Sequence, residues 1–187
     1  MATTRVTTKK VRFSYVHVFE PTAMTEFDAN GKPTVKKYSS AILIPKNDKV
    51  TVQAIQEAIQ LALVEGKSKH FGGNIPTKWA NPLRDGDEEK PDDEVYAGHY
   101  FLNAKSIKRP VILGPDKELL VDKDDFYSGC YGRVVLNFYA YGFKVPSRGV
   151  AVGFESAMKL EDGDNLSGGG LSHAEILSEF DDDDDLM

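Results

Sequence analysis

The sequence predicts a mainly β domain, a small Greek-key barrel plugged by one helix and followed by a disordered acidic tail, on three observations. Five or six short segments alternate outward and inward residues at period two, separated by turns rich in Gly, Pro and Asn. One stretch alone repeats apolar residues at helical spacing. Residues 161–187 hold ten carboxylates and neither Lys nor Arg, a composition that self-repels and buries too little apolar surface to offset chain entropy.

The first β segment is Val6 to Phe19, where Val11, Phe13, Tyr15, His17 and Phe19 alternate with Arg12, Ser14, Val16 and Val18 until Pro21. Asp28-Ala-Asn-Gly-Lys-Pro33 has hairpin turn chemistry, because Asn30-Gly31 readily adopts positive φ. Val35 to Ile44 is the second strand. From Asn47 to Gly66, Val52, Ile55, Ile59, Ala62 and Leu63 form one helical stripe for the core, with Asn47, Asp48 or Thr51 as the opening cap and Gly66 as the close. Asp85 to Glu94, with seven acids against one Lys, is expected to be a solvated, mobile insertion. Strands follow at Glu94 to Ala104, Ile107 to Leu113, Tyr131 to Phe143 and Val150 to Leu160. Organisation is expected as a domain over 5–160, a Gly-rich flexible linker over 161–174 and an acidic interaction tail over 175–187.

Composition narrows the function classes. A lone Cys130 permits no intrachain disulfide and suits a reducing compartment, and neither a signal peptide nor a membrane span is expected. Phosphate-loop, zinc-protease, Cys-x-x-Cys and nucleophile-elbow motifs are all missing, and His17, His70, His99 and His173 lie far apart in sequence. Asp122-Lys-Asp-Asp125 offers carboxylates to a cation but reads as a turn before Phe126. No enzyme, no metal and no cofactor is therefore expected.

Binding has positive signals. Residues 1–160 hold 23 bases against 19 acids, so a basic body carries its own polyanion. In 131–143, Val134, Leu136, Phe138 and Ala140 form a core face, while Arg133, Asn137, Tyr139 and Tyr141 form a cationic and aromatic one. Unpaired nucleic acid needs this combination: cations that track phosphates, and rings on which bases stack. Lys105, Lys108 and Arg109 come from the neighbouring β segment, with Tyr100 placed beside them. The loop after the helix adds Lys69, Lys78 and Trp79, although burial is the ordinary fate of a single Trp. The tail, with Phe180, Asp181, Asp182, Asp183, Asp184, Asp185 and Leu186, has the composition to compete for a cationic groove at high effective concentration and to contact other proteins.

The run Tyr127-Ser-Gly-Cys-Tyr-Gly-Arg-Val-Val-Leu-Asn-Phe-Tyr-Ala-Tyr-Gly142, with Arg148-Gly-Val-Ala-Val-Gly-Phe-Glu-Ser-Ala-Met-Lys-Leu160 and Asp162-Gly163, resembles the phage-encoded single-stranded-DNA-binding proteins. The resemblance implies an OB-fold that coats single-stranded DNA in phage replication, recombination and repair, within the cytoplasm of a bacterial host. It implies partners among viral or host replication and recombination proteins. Weaker binding of double-stranded DNA and a homo-oligomer stay open. The competing expectation from another class is a non-enzymatic virion component or DNA-mimic inhibitor.

Overall fold

The computed structural model describes residues 3–23, 26–142 and 148–166; the acidic tail 175–187, with Phe180 and Asp181 to Leu186, lies outside the described residues, as does most of the linker. Ten elements follow in chain order: β1 (Arg5–Thr7), β2 (Val11–Thr22), β3 (Lys37–Pro45), α1 (Lys49–Lys69), β4 (Arg84–Asp85), α2 (Gly86–Glu89), β5 (His99–Ser106), β6 (Val111–Leu113), β7 (Tyr131–Tyr141) and β8 (Gly149–Glu161). β7, β2, β3, β5 and β8 pair in that order, and β8 returns to β7, so five strands close on themselves. The β5–β8 contact is parallel and the other four of the ring are antiparallel. This is the OB-type barrel.

The first strand is interrupted twice. Thr8 separates β1 from β2, donating its backbone N–H to Val134 O and accepting the Val134 N–H on its hydroxyl. Register against β3 then slips between Ser14 and His17, and Tyr15 takes φ 48°. Val11, Phe13 and Val18 are buried, whereas Tyr15 is 63% exposed. The expected single alternation over 6–19 is thus corrected by a bulge, which changes the parity of the strand midway. Pro21 does not end β2, which runs one residue past it.

Helix α1 opens on Asp48, whose carboxylate accepts the Thr51 N–H. Its stripe Val52, Ile55, Ala58, Ile59, Ala62 and Leu63 is buried against the barrel. Gly66 does not cap it. The helix continues to Lys69, and Gly66 is where the helix backbone meets β7: a Cβ there would stand 2.3 Å from the Ala140 Cβ.

The acidic stretch 85–94 is largely exposed, as expected of a solvated insertion, but ion pairs tie its first half to the fold, which corrects the expectation that it is mobile. Lys46 Nζ contacts Asp85 at 2.6 Å and Asp87 at 2.8 Å, and Arg84 of β4 clasps Glu89 of α2. Hydrogen bonds from Lys46 hold the Asp85 and Asp87 carboxyls below their ordinary range. Tyr96 and Phe101 pack edge to face beneath this corner. Asp122 caps a 3-10 turn over Lys123–Asp125, as a turn before Phe126 requires.

Candidate nucleic-acid interface

Cross-strand register places the polar residues of the barrel's outer face. Asn137 of β7 pairs with Gly153 of β8, Gly153 with Lys105 of β5, Lys105 with Ser39 of β3, and Ser39 with His17 of β2. With strands about 4.8 Å apart, this row crosses about 19 Å of surface. Arg5 extends it by pairing with Asn137 on the other side.

Two clefts lie along the row. One, of about 440 Å³, is lined by Lys37, Lys105, Lys108, Arg109, Asn137 and Tyr139, among others. The second, of about 540 Å³, is lined by Tyr15, His17, Ser39, Asn103 and again Lys37 and Lys105. The two meet at those lysines and form one groove. Gly153 forms part of its floor, and a Cβ there would lie 3.8 Å from the Tyr139 ring. Tyr139 is 46% exposed, so each cleft has one accessible tyrosine ring.

Five expected residues therefore converge: Lys105, Lys108, Arg109, Asn137 and Tyr139. Arg109 also lies over the Phe19 ring at 5.4 Å, which steadies the loop after β5. Arg133 and Tyr141 share the outer face of β7 without lining the groove; the Arg133 Nε donates to Thr8 O at 2.8 Å. Four other expected residues do not line these clefts. Tyr100 lies five residues from Lys105, an odd interval in an extended strand, so it faces inward with Leu102 and Ala104, under Lys46 Nζ at 5.2 Å. Trp79 packs against the core beside Ala80, which bridges to Gly149. Lys78 is exposed on that loop and is not among the residues lining either cleft, and Lys69 belongs to the last turn of α1.

The sequence did not single out Tyr15, His17, Lys37, Ser39 or Arg5. Composition marked Lys37 only as one lysine among many. Its place on the groove follows from the pairing of Thr22 with Lys37 and of Tyr38 with Ser106. Among the described residues no three His, Cys, Asp or Glu side chains converge on a metal site, and no helix is long and apolar enough to cross a membrane.

A family model described as Enterobacter phage Enc34, ssDNA-binding protein, matches residues 4–187. Putative protein p50 of Acyrthosiphon pisum secondary endosymbiont phage 1 is 30% identical over 186 residues, covering 95% of this chain and 93% of that one. Among solved structures, the single-stranded DNA-binding protein of bacteriophage Enc34 in complex with ssDNA is similar at TM-score 0.73 and 24% identity, over 87% of this chain and 89% of that chain. The single-stranded DNA-binding protein gp2.5 encoded by bacteriophage T7 is similar at TM-score 0.57 and 15% identity, over 92% of this chain and all of that one. Likeness at these identities establishes the shared barrel.

Proposed function

The chain belongs to the Enc34 ssDNA-binding family, and from that premise we propose that it binds single-stranded DNA in the Lys37–Lys105 groove, by contact and without catalysis. The observation that carries this reading is the groove itself, which holds four cations in all and one exposed tyrosine in each of its two clefts. Lys37, Lys105, Lys108 and Arg109 neutralise phosphates, Tyr15 and Tyr139 receive bases, and Asn137 and Ser39 bond to sugar or base edges. Sequence-tolerant binding of this kind coats and protects DNA during phage replication, recombination and repair in the host cytoplasm.

The acidic tail restrains that binding and recruits replication proteins. Support comes from charge and from the chain's path. Leu166, the last described residue of the fold, donates its N–H to Ser128 O, and it lines a pocket together with Tyr15 and His17. Leu166, the point from which the chain continues into the acidic tail, therefore lies beside the Tyr15 end of the groove. Fluorescence anisotropy with a labelled oligonucleotide at two salt concentrations, with the full chain and a chain lacking 175–187, tests both parts. Binding that weakens steeply with salt is expected, and tightening on tail removal at low salt. A full chain and truncated chain that both ignore the oligonucleotide would sink the reading, and equal affinities would remove the tail's restraint.

A further inference from the structure

Beyond the Tyr15 end of the groove lies a third cavity, of about 390 Å³, with neither Lys nor Arg in its lining. Its volume falls within the range of small-ligand pockets. Tyr15 and His17 line both this cavity and the second cleft, so the two adjoin across one tyrosine. That tyrosine sits at the bulge with φ 48°, a left-handed backbone that a bulky residue holds only under constraint, and such strain gathers where ligands are contacted. Val16 and Val95 supply apolar wall.

The polar groups of the cavity differ from those of the groove. Ser14 and Tyr96 are buried and hydrogen-bonded to each other through their side chains. The Ser128 hydroxyl accepts the Val16 N–H at 3.0 Å and keeps its own proton to donate. Asp93 accepts the Val95 N–H on Oδ1 at 3.0 Å, one of about four acceptor sites that a carboxylate offers. A carboxylate at the end of a cationic groove repels phosphate, so what a nucleotide can bring to Asp93 is the N–H edge of its base. Unpaired bases expose that edge. Thymine shows there a single N–H between two carbonyl oxygens, adenine and cytosine one amine each. Guanine alone sets an imino N–H and an amine side by side, the two-donor fork that a carboxylate accepts, with a carbonyl oxygen next to them. We propose that this cavity is a guanine pocket at one end of the DNA site. The base passes Tyr15, gives N1–H and its 2-amine to Asp93, and takes the Ser128 proton on O6. The groove holds a strand of any sequence, and a guanine at that end adds affinity.

The inference rests on the single-strand reading above, and the test separates the two. The full chain is bound to a labelled oligo(dT) of one-copy length and displaced by unlabelled competitors of the same length. These are oligo(dT) itself and oligo(dT) carrying one guanine, hypoxanthine, adenine or cytosine at its 5′ or its 3′ end. Guanine at one end and not the other is expected to strengthen competition by about fivefold or more, the scale of one bidentate base contact. Hypoxanthine, which keeps N1–H and O6 but lacks the amine, is expected to lose most of that gain, as are adenine and cytosine. Asp93→Asn retains an acceptor for the Val95 N–H and is expected to bring the guanine-to-thymine ratio down to about one. A guanine gain at both ends or at neither, an equal gain from another base, or a gain that survives in Asp93→Asn would overturn the inference and leave the single-strand reading intact. Failure of the labelled oligo(dT) to bind at all would overturn the reading beneath it.

Discussion

Gly66 and Ala140 stand so close that helix and barrel touch backbone to side chain: a Cβ on the glycine would lie 2.3 Å from that of the alanine. Gly66→Ala therefore forces α1 away from β7. Overpacking of this kind costs about 1–3 kcal/mol. Thermal unfolding followed by circular dichroism is expected to show a lower Tm, with oligonucleotide binding unchanged well below it, since the groove lies on the other face of β7.

Tyr15→Ala and Tyr139→Ala are each expected to weaken single-strand binding by about 1–3 kcal/mol, the range of one base stack, while Tyr→Phe at either position retains most of the affinity. Tyr100→Ala, by contrast, is expected to alter stability rather than affinity, because its ring lies under Lys46 on the inward side of β5. Anisotropy titrations alongside melting curves separate these outcomes.

Neutralising Lys37, Lys105, Lys108 or Arg109 to Gln is expected to reduce the salt dependence of binding. Each phosphate contact on a single strand contributes about 0.7 to the slope of log K against log salt. Lys69→Gln and Lys78→Gln serve as controls, with slopes close to wild type. A slope unchanged by the groove substitutions would remove those residues from the phosphate path.

Burial pushes the Cys130 thiol from about 9 up to about 11. A thiol raised in the folded state favours folding at pH values below its ordinary range. That contribution is expected to fade as pH rises from about 9 through about 11, because the unfolded chain ionises first. The native thiol is expected to resist a disulfide-exchange reagent at pH 8 and to react fully after denaturation.

Much of the barrel was legible because a period-two pattern records which face is buried. Val134, Leu136, Phe138 and Ala140 read as the core side of β7 and are buried, and the helix cap Asp48 was one of three candidates with Asn47 and Thr51. The parity of β5 was equally legible, since Tyr100 and Lys105 differ by an odd number of residues. What stayed hidden depends on partners distant in sequence. Tyr15 turns outward at a bulge whose register is set by β3, Lys37 gains its place through pairing with Thr22, and the 85–89 corner is ordered by Lys46, 39 residues upstream of Asp85.

The groove's central row takes one residue from each of five strands, from His17 near the start of the chain to Gly153 near its close. Like staves under a hoop, these positions make a surface only while the ring is shut. On the proposed reading, an oligonucleotide laid across them is expected to act as the hoop, favouring the folded chain by mass action and making its melting point climb with ligand concentration. A peptide cut from any one strand is expected not to retain the oligonucleotide, so DNA retention would double as a sensor of whether the barrel is whole.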